Sequence, residues 1–391
     1  MSNDFYSVIF SHYLVESNPM NYFSAQKKAY FMEWIDILKC PITGKDLRAL
    51  QTEEIAALNQ KIAGGKVFQA DGKPFTESIE KGLISVDGGY IYPIIKDIIL
   101  LLRDLAVVDS ADKIIKDTIS DDKKLVQDFY NKRGWHTDEA GNYEDAVIFE
   151  DLRDVSKDYL KKCHDRVGNF LNPSGKYMLD AASGALQYED YLQYSANYKY
   201  RVCVDLSFQA LSEVKRKLGD KALCVLCDMT KMPFKDNVMD GFISLNTIYH
   251  IPKDEQATAI KELYRLLAVK GKGVVVYEWY KHSSWMNFWL LPFRGALFIR
   301  NRTVNAFRKM SGSAKEGRML YFYAHNYEYF KNNLPPFKVK VWRSVSVPFM
   351  KGYIHSWLFG KQILNWLYNK EEKEPEKCGL KGEYPMLVFE K

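Results

Sequence analysis

The 391-residue chain predicts an α/β fold, a doubly wound sheet of mostly parallel strands, and three observations carry that expectation. Three apolar runs follow one another, Lys176–Asp180, Tyr200–Asp205 and Leu223–Asp228, and each is closed by an acid. The first passes through small residues, Ala181, Ala182, Ser183 and Gly184, into a helix expected from about Gln187 and then into the second run. Beyond the third, Phe242–Leu245 and Gly273–Trp279 read as strands around Asp254–Leu267, whose apolar residues recur at helical spacing. A turn of small residues lets the backbone approach a small molecule closely, and an acid closing the second strand can accept both hydroxyls of a ribose.

These residues resemble the class I S-adenosylmethionine-dependent methyltransferases. The acid and turn at Asp180–Gly184, the acid Asp205, and LCVLCD with Met229 and MPFKDNVMDGFIS after it are similar to that family's order of strand-closing acids and its "D…LPF…FD" passage. The pattern departs where Ala182 and Leu186 stand at positions usually held by glycine, leaving Gly184 alone. The resemblance implies a seven-stranded, Rossmann-like methyltransferase sheet, S-adenosylmethionine as cofactor, S-adenosylhomocysteine as product, and no metal. It places Asp180 and Gly184, with Ala182 in the same loop, near the methionine moiety. It also places Asp205 at the ribose, Asp228 at the adenine amine with Met229 beside it, Leu206 on the adenine ring and Asn246 near the reacting end. YNKRGW, Tyr130–Trp135, resembles a segment that closes over the cofactor in such relatives, which adds Tyr130; a helix end capped by Gly134 is the alternative.

The chain is long enough for two domains with proper cores, and 47% of it is apolar. Its 55 basic against 49 acidic residues give +6, a balance that does not argue for nucleic acid. The six cysteines form no disulfide-like framework, and Cys224 and Cys227 lie in a strand, where a thiol packs as a small hydrophobe. No segment has the build of a signal peptide and no uncharged apolar run reaches membrane-spanning length, so the cytoplasm is the expected compartment.

Residues 1–33 form an N-terminal extension with a possible helix over Ala25–Trp34. Residues 34–105, with ILKCPITGKDL and later LISVDGGYIYPIIKDIILLL, resemble the small zinc-ribbon-like domain that accompanies some methyltransferases. Only Cys40 of the expected ligands is present; Thr43, Ser85 and Gly88 occupy the other three places, and one ligand does not hold structural zinc. A metal-free α+β domain is expected. Residues 106–280 are the helical lead-in and cofactor-binding core, with a helical stripe from Leu152 to Phe170.

Residues 281–325 are inserted after the fifth strand, aromatic in the first half and rich in Lys and Arg, and residues 326–391 complete the sheet with an alternating strand, Phe337–Val347, and a last strand, Tyr384–Glu390. Between these two, Trp357–Tyr368 reads as an amphipathic helix and Glu371–Lys377 as a solvated loop. An insertion at 281–325 is expected to be a helical lid over the acceptor pocket. A greasy, cationic lid suits an acceptor with an apolar or aromatic body and an anionic group, or transient contact with a membrane surface; a helical hairpin with a solvated basic face is the plain alternative. Substrate-binding candidates are Trp279, His282, Arg294, Tyr321 and Tyr323.

Methyl transfer from a sulfonium is one in-line displacement in which alignment supplies about 7–11 kcal/mol, and an acceptor carrying a proton can need a base. The carboxyl end of the fourth strand faces the acceptor in such sheets, and SLNTIYHIP puts Asn246, Tyr249 and His250 there. His250, Tyr249 and, before the resumed helix, His325 are the catalytic candidates, with capping and packing as their plain roles. A small-molecule methyltransferase of biosynthetic type is the leading expectation. An RNA base methyltransferase is the alternative, disfavoured by Asn246-Thr247-Ile248-Tyr249 standing where such enzymes carry Asn-Pro-Pro-Tyr. A scaffold that no longer binds the cofactor is the third. Oligomeric state is not legible.

Overall fold

A computed structural model describes residue 6 and residues 33–116, 118–139, 141, 143–292 and 320–391. Strands β1 (Leu47–Ala49), β2 (Phe68–Gln69), β3 (Gly82–Ser85), β4 (Ile91–Ile95), β5 (Ile98–Leu100) and β6 (Val107–Val108), with helix α1 (Thr52–Ala63), build an N-terminal unit. Its tightest turn joins β4 to β5 through Lys96 and Asp97, both left-handed, as a two-residue hairpin of matching twist requires. The thiol of Cys40 lies 3.0 Å from the Tyr92 hydroxyl. Ser85 and Thr43 bond the Asp87 carboxylate, with Ser85 the larger cause of its lowered pKa. Hydrogen bonds thus join the segment at Cys40 and Thr43 to that at Ser85–Tyr92, and among the described residues no three His, Cys, Asp or Glu side chains cluster as metal ligands.

The core sheet comprises β7 (Gly175–Ala181), β8 (Tyr198–Asp205), β9 (Ala222–Leu226), β10 (Met239–Leu245), β11 (Leu267–Val276), β12 (Lys338–Arg343) and β13 (Tyr384–Glu390). The strand order is β9-β8-β7-β10-β11-β13-β12, parallel throughout except for β13, which runs antiparallel to both neighbours. This is the Rossmann-like α/β sheet of class I methyltransferases. Its central strands are buried on both faces: Leu179 and Val202 enter one apolar cluster, Met178 and Ile243 another. The sheet does not stop at β9. Strand β5 pairs with it in parallel, Ile98 opposite Cys224 and Leu100 opposite Leu226, so the N-terminal unit continues the same sheet.

Helix α2 (Asp121–Phe129) runs into a π-type turn at Tyr130–Gly134 and is followed by α3 (Glu144–Phe149) and α4 (Asp154–Gly168). Helices α5 (Phe208–Leu218) and α6 (Gln256–Leu266) cover the sheet, and α7 (Ser284–Trp289) and α8 (Tyr327–Asn333) flank residues 293–319. Helices α9 (Val347–Tyr353), α10 (Gly360–Lys373) and α11 (Pro375–Lys381) lie between β12 and β13.

Three local readings of the sequence are corrected. The expected helix after Gln187 is a 3-10 helix, Glu189–Ser195, and the reason is visible in retrospect: Tyr188, Tyr191 and Tyr194 repeat every three residues, and their rings pack in sequence at 5.2 and 5.7 Å. The strand expected to reach Val347 ends at Arg343, because Ser346 caps α9 by accepting the Phe349 N–H and Pro348 sits in its first turn. The supposed solvated loop at Glu371 is helix, and Glu371 is buried, accepting from Tyr159 Oη at 2.6 Å, from Ser344 Oγ at 2.6 Å and from Arg166 at 3.1 Å. The helix expected over Ala25–Trp34 lies largely outside the described residues, which resume at Glu33 in helix through Ile35.

Candidate active site

The carboxyl ends of β7, β8, β9 and β10 open onto one cavity of about 710 Å3, within the usual range for a small-molecule site. Asp180, Asp205 and Asp228 all line it. The turn after β7 explains how the backbone comes so near. Ala182, Gly184 and Leu186 all have left-handed φ, +53°, +54° and +50°, so the two non-glycine residues keep the conformation that glycine takes without strain. Each holds it at a cost of roughly 1–2 kcal/mol. Gly184 is required for a different reason: a Cβ there would come 2.4 Å from the ring of Trp135. That indole stacks on Tyr130 at 5.1 Å, and both rings line the cavity, so YNKRGW packs over the turn.

Each strand-closing acid also has protein partners. Asp180 Oδ2 accepts from Arg201 Nη2 at 2.6 Å and Nε at 3.0 Å, and the fully buried Arg201 also donates to the Tyr191 carbonyl. Asp205 accepts the Gly184 N–H at 2.9 Å and the Ser207 N–H at 2.8 Å. Burial nevertheless pushes its carboxyl up to about 6. Each of these oxygens keeps a second lone pair for a ribose hydroxyl. Asp228 accepts from Thr230 N and Oγ1, both at 2.8 Å, and from Lys123 Nζ at 2.6 Å. Lys123 also reaches Glu255 and lines the cavity. Leu206 and Met229 supply apolar walls in the same part of the cavity, as the resemblance implies for an adenine site.

The far side is acidic and aromatic. Asn246 (φ +56°), Tyr249 and His250 line it after β10, and Glu278 lines it after β11. His250 Nδ1 lies 2.7 Å from the Tyr321 carbonyl, which only accepts, so Nδ1 carries the hydrogen. Burial pulls its pKa down to about 4, and the ring is a neutral, weak base. Burial pushes Glu278 up to about 7 and Glu383 up to about 8, and the repulsion between the two neighbouring carboxyls adds to the rise of Glu383. Asp145, beside Tyr130 Oη at 3.3 Å, is pushed by burial up to about 6. Glu150 pairs with Arg343 at 2.9 Å, and that guanidinium lies 4.4 Å from the Tyr384 ring.

Three buried polar atoms on the cavity wall, Trp135 Nε1, Gln187 Oε1 and Asn246 Oδ1, have no partner among the described residues. Orphaned buried groups are expensive, and a polar ligand in the cavity would satisfy them. The volume, the spare lone pairs of Asp205 and the apolar walls at Leu206 and Met229 fit an adenosyl cofactor.

Five expected residues stand away from the cavity lining. Trp279 is buried with Nε1 donating to the Gly379 carbonyl at 2.8 Å. His325 is stacked on Tyr329 at 3.5 Å with Nε2 2.8 Å from the Lys253 carbonyl, so it braces a turn. The Tyr321 hydroxyl accepts the Lys253 N–H at 3.0 Å, the Tyr323 carbonyl accepts from Gln256 at 2.8 Å, and His282 continues the turn after Trp279. None of the five is part of the cavity wall. Arg294 and most of the expected lid lie outside the described residues. Sequence reasoning missed Trp135, Asp145, Lys123 and Glu278. The last carried a readable signal, since Glu278 is an acid near the end of the expected strand Gly273–Trp279.

Residues 179–275 match the family model described as "Methyltransferase domain". An uncharacterized protein of Methanocaldococcus jannaschii is 28% identical over 160 residues, 39% of this chain and 60% of that protein. The "Probable tRNA methyltransferase 9B" of Homo sapiens is 29% identical over 135 residues, 34% of this chain and 28% of that protein. The "24-methylenesterol C-methyltransferase 2" of Arabidopsis thaliana is 44% identical over 66 residues, 16% of this chain and 18% of that protein. The chain therefore spans less than two thirds of the length of each of these relatives. Residues 179–275 match a methyltransferase domain, and the sheet that carries them has the class I methyltransferase strand order.

Proposed function

We propose that the protein transfers a methyl group from S-adenosylmethionine to a small acceptor with an apolar or aromatic body and a nucleophile that carries a proton. The observation that carries this reading is one cavity lined at once by the three strand-closing carboxylates and by three orphaned buried polar atoms. When bound, the cofactor supplies an electrophilic methyl group on a sulfonium. Asp205 holds the ribose hydroxyls, Leu206 and Met229 flank the adenine, and Asp228, fixed by Lys123, accepts from the adenine amine. Glu278, at the acceptor side, takes the acceptor's proton; a base titrating near neutrality suits this step better than the depressed His250. Tyr249, Tyr384 and Phe322 exclude water from the reacting end.

The basic residues that suggested an anionic acceptor fall mostly within 293–319, whereas the described walls carry Asp145, Glu150 and Glu278. The carboxyl-rich wall favours a hydrogen-bond donor on the acceptor. Titration calorimetry with S-adenosylmethionine tests the reading: saturable heat supports it, and no heat at any soluble cofactor concentration leaves a non-catalytic scaffold. A second reading, methylation of an RNA base, is favoured by the named human relative. It requires RNA binding that falls steeply with added salt, and RNA binding that is absent or indifferent to salt removes it.

A further inference from the structure

A surface helix ordinarily has one apolar stripe, turned to the core. Helix α10 has two. Gly360, Leu364, Leu367 and Glu371 are buried, and α10 packs there on α4. One residue earlier in every turn, Phe359, Ile363, Trp366 and Lys370 form a second stripe, which is exposed: Phe359 is 72% and Trp366 59% accessible. Trp357, just before it, is 77% accessible, and Phe288, Trp289 and Leu291 on and after α7 are half exposed or more. Contacts join α7 to α9 and to the end of α10. The Tyr353 hydroxyl donates to the Trp289 carbonyl at 2.7 Å, and Lys370 Nζ lies 5.1 Å from the Trp285 ring and 5.2 Å from that of Trp366.

Phe359 is the most telling member. Its φ is +56°, a left-handed conformation that a bulky side chain holds at roughly 1–2 kcal/mol, and its ring projects into solvent. Among the described residues the ring has no buried packing partner. Lysines mark the surface, with Asp154 near Lys361 and Glu374 near Lys370. Lys351, Lys361 and Lys370 belong to α9 and α10, while the acids at the end of α10, Glu371 and Glu372, are held by Arg166 at 3.1 and 2.8 Å. Tryptophans beside lysines are the composition of a membrane–water boundary, where indoles sit at headgroup depth and ammonium groups meet anionic lipid.

We propose that this surface docks on an anionic lipid bilayer. Helix α9 connects it to the site, because its Phe349 and Tyr353 rings pack against Trp289 while Val347, Pro348 and Lys351 line the cavity. Resting on the proposed methyl transfer, the acceptor class is then a lipid-like molecule that reaches the cavity from the bilayer.

Co-sedimentation of the full chain with phosphatidylcholine vesicles, with and without phosphatidylglycerol, tests the docking. The expected result is binding to the phosphatidylglycerol vesicles that weakens with salt. A triple variant, Trp357→Ser, Phe359→Gly, Trp366→Gln, should bind them about tenfold more weakly or worse. Phe359→Gly alone relieves the backbone and should fold at least as well while binding about threefold more weakly. Cofactor heat should be unchanged in both variants, since neither touches the cavity. Equal sedimentation of parent and variants overturns the proposal, as does a parent that ignores both vesicle types. A parent that is dimeric by light scattering, with a monomeric triple variant and no vesicle binding, assigns the surface to a second copy instead. Vesicle binding without cofactor heat removes the reaction and leaves the docking surface standing.

Discussion

The two ends of the cavity are both acidic, and they treat their acids in opposite ways. At the cofactor end every carboxylate is fixed by a donor of the protein itself: Asp180 by Arg201, Asp205 by two backbone N–H groups, Asp228 by Lys123 and Thr230. At the acceptor end Glu278 and Glu383 face each other, with Ser283 bonding Glu383 and the Arg343 guanidinium nearby, and burial raises both carboxyls toward neutral pH. The difference teaches what each end is for. Carboxylates pinned by donors hold a fixed direction, which suits recognition. Carboxyls raised toward neutral pH keep a charge state that changes, which suits chemistry.

The contrast breaks most heavily at Arg201. Arg201→Met strands Asp180, 3% exposed, without its counter-charge and should lower unfolding stability by about 3–5 kcal/mol in urea denaturation. The double variant Asp180→Asn, Arg201→Met should recover most of that loss. A small effect of the single substitution would mean that the cofactor end does not depend on its pairing.

The acceptor end should show itself through pH. Glu278 and Glu383 have folded pKa values above those of the unfolded chain, so the native state binds the extra protons. Their contribution to stability is therefore fully present below about 4.5 and is lost as pH rises through about 7 and 8. Glu278→Gln and Glu383→Gln should each flatten that decline by a few kcal/mol, read as unfolding midpoints from pH 5 to 9. A parent whose stability is level across that window would mean that the two carboxyls are not raised. In the enzyme with a known acceptor, Glu278→Gln should also lower kcat and remove the acidic limb of its pH profile.

Smaller effects sharpen the cofactor end. Asp205→Asn keeps one acceptor oxygen and loses the charge; S-adenosylmethionine affinity should fall by about 1.5–3 kcal/mol in calorimetry. Ala182→Gly places the usual residue at φ +53° and should stabilise the protein by about 0.5–1 kcal/mol, and a loss of stability would mean that the strain is absent.

The legibility of the molecule follows the same division. The core strands and the cavity-lining acids at their ends were readable because each depends on residues close in sequence: an apolar run, the acid that closes it, and the turn after it. Even the departures at Ala182 and Leu186 were visible as departures, though not that the backbone would keep its left-handed form. The acceptor wall is assembled from segments far apart, Asp145 and Glu150 in α3 and beyond it, Glu278 after β11, and Tyr384 in β13, and no local pattern joins them. Tyr321, Tyr323 and His325 were misjudged because aromatic residues next to a predicted pocket read alike whether they line it or brace the turn behind it. Glu371 was misjudged because a run of charges reads as solvated, and its burial comes from Arg166, 205 residues earlier.

The pairing of β5 with β9 reaches beyond architecture. Without it, β9 would be an outermost strand five residues long, all of them buried, presenting a row of unsatisfied amide and carbonyl groups on a flat, greasy margin. Trimming the chain back to the core sheet from β7 onward would thus yield a template for runaway self-stacking. The N-terminal unit thus serves the core as a selvedge, the finished border that keeps the cloth from fraying.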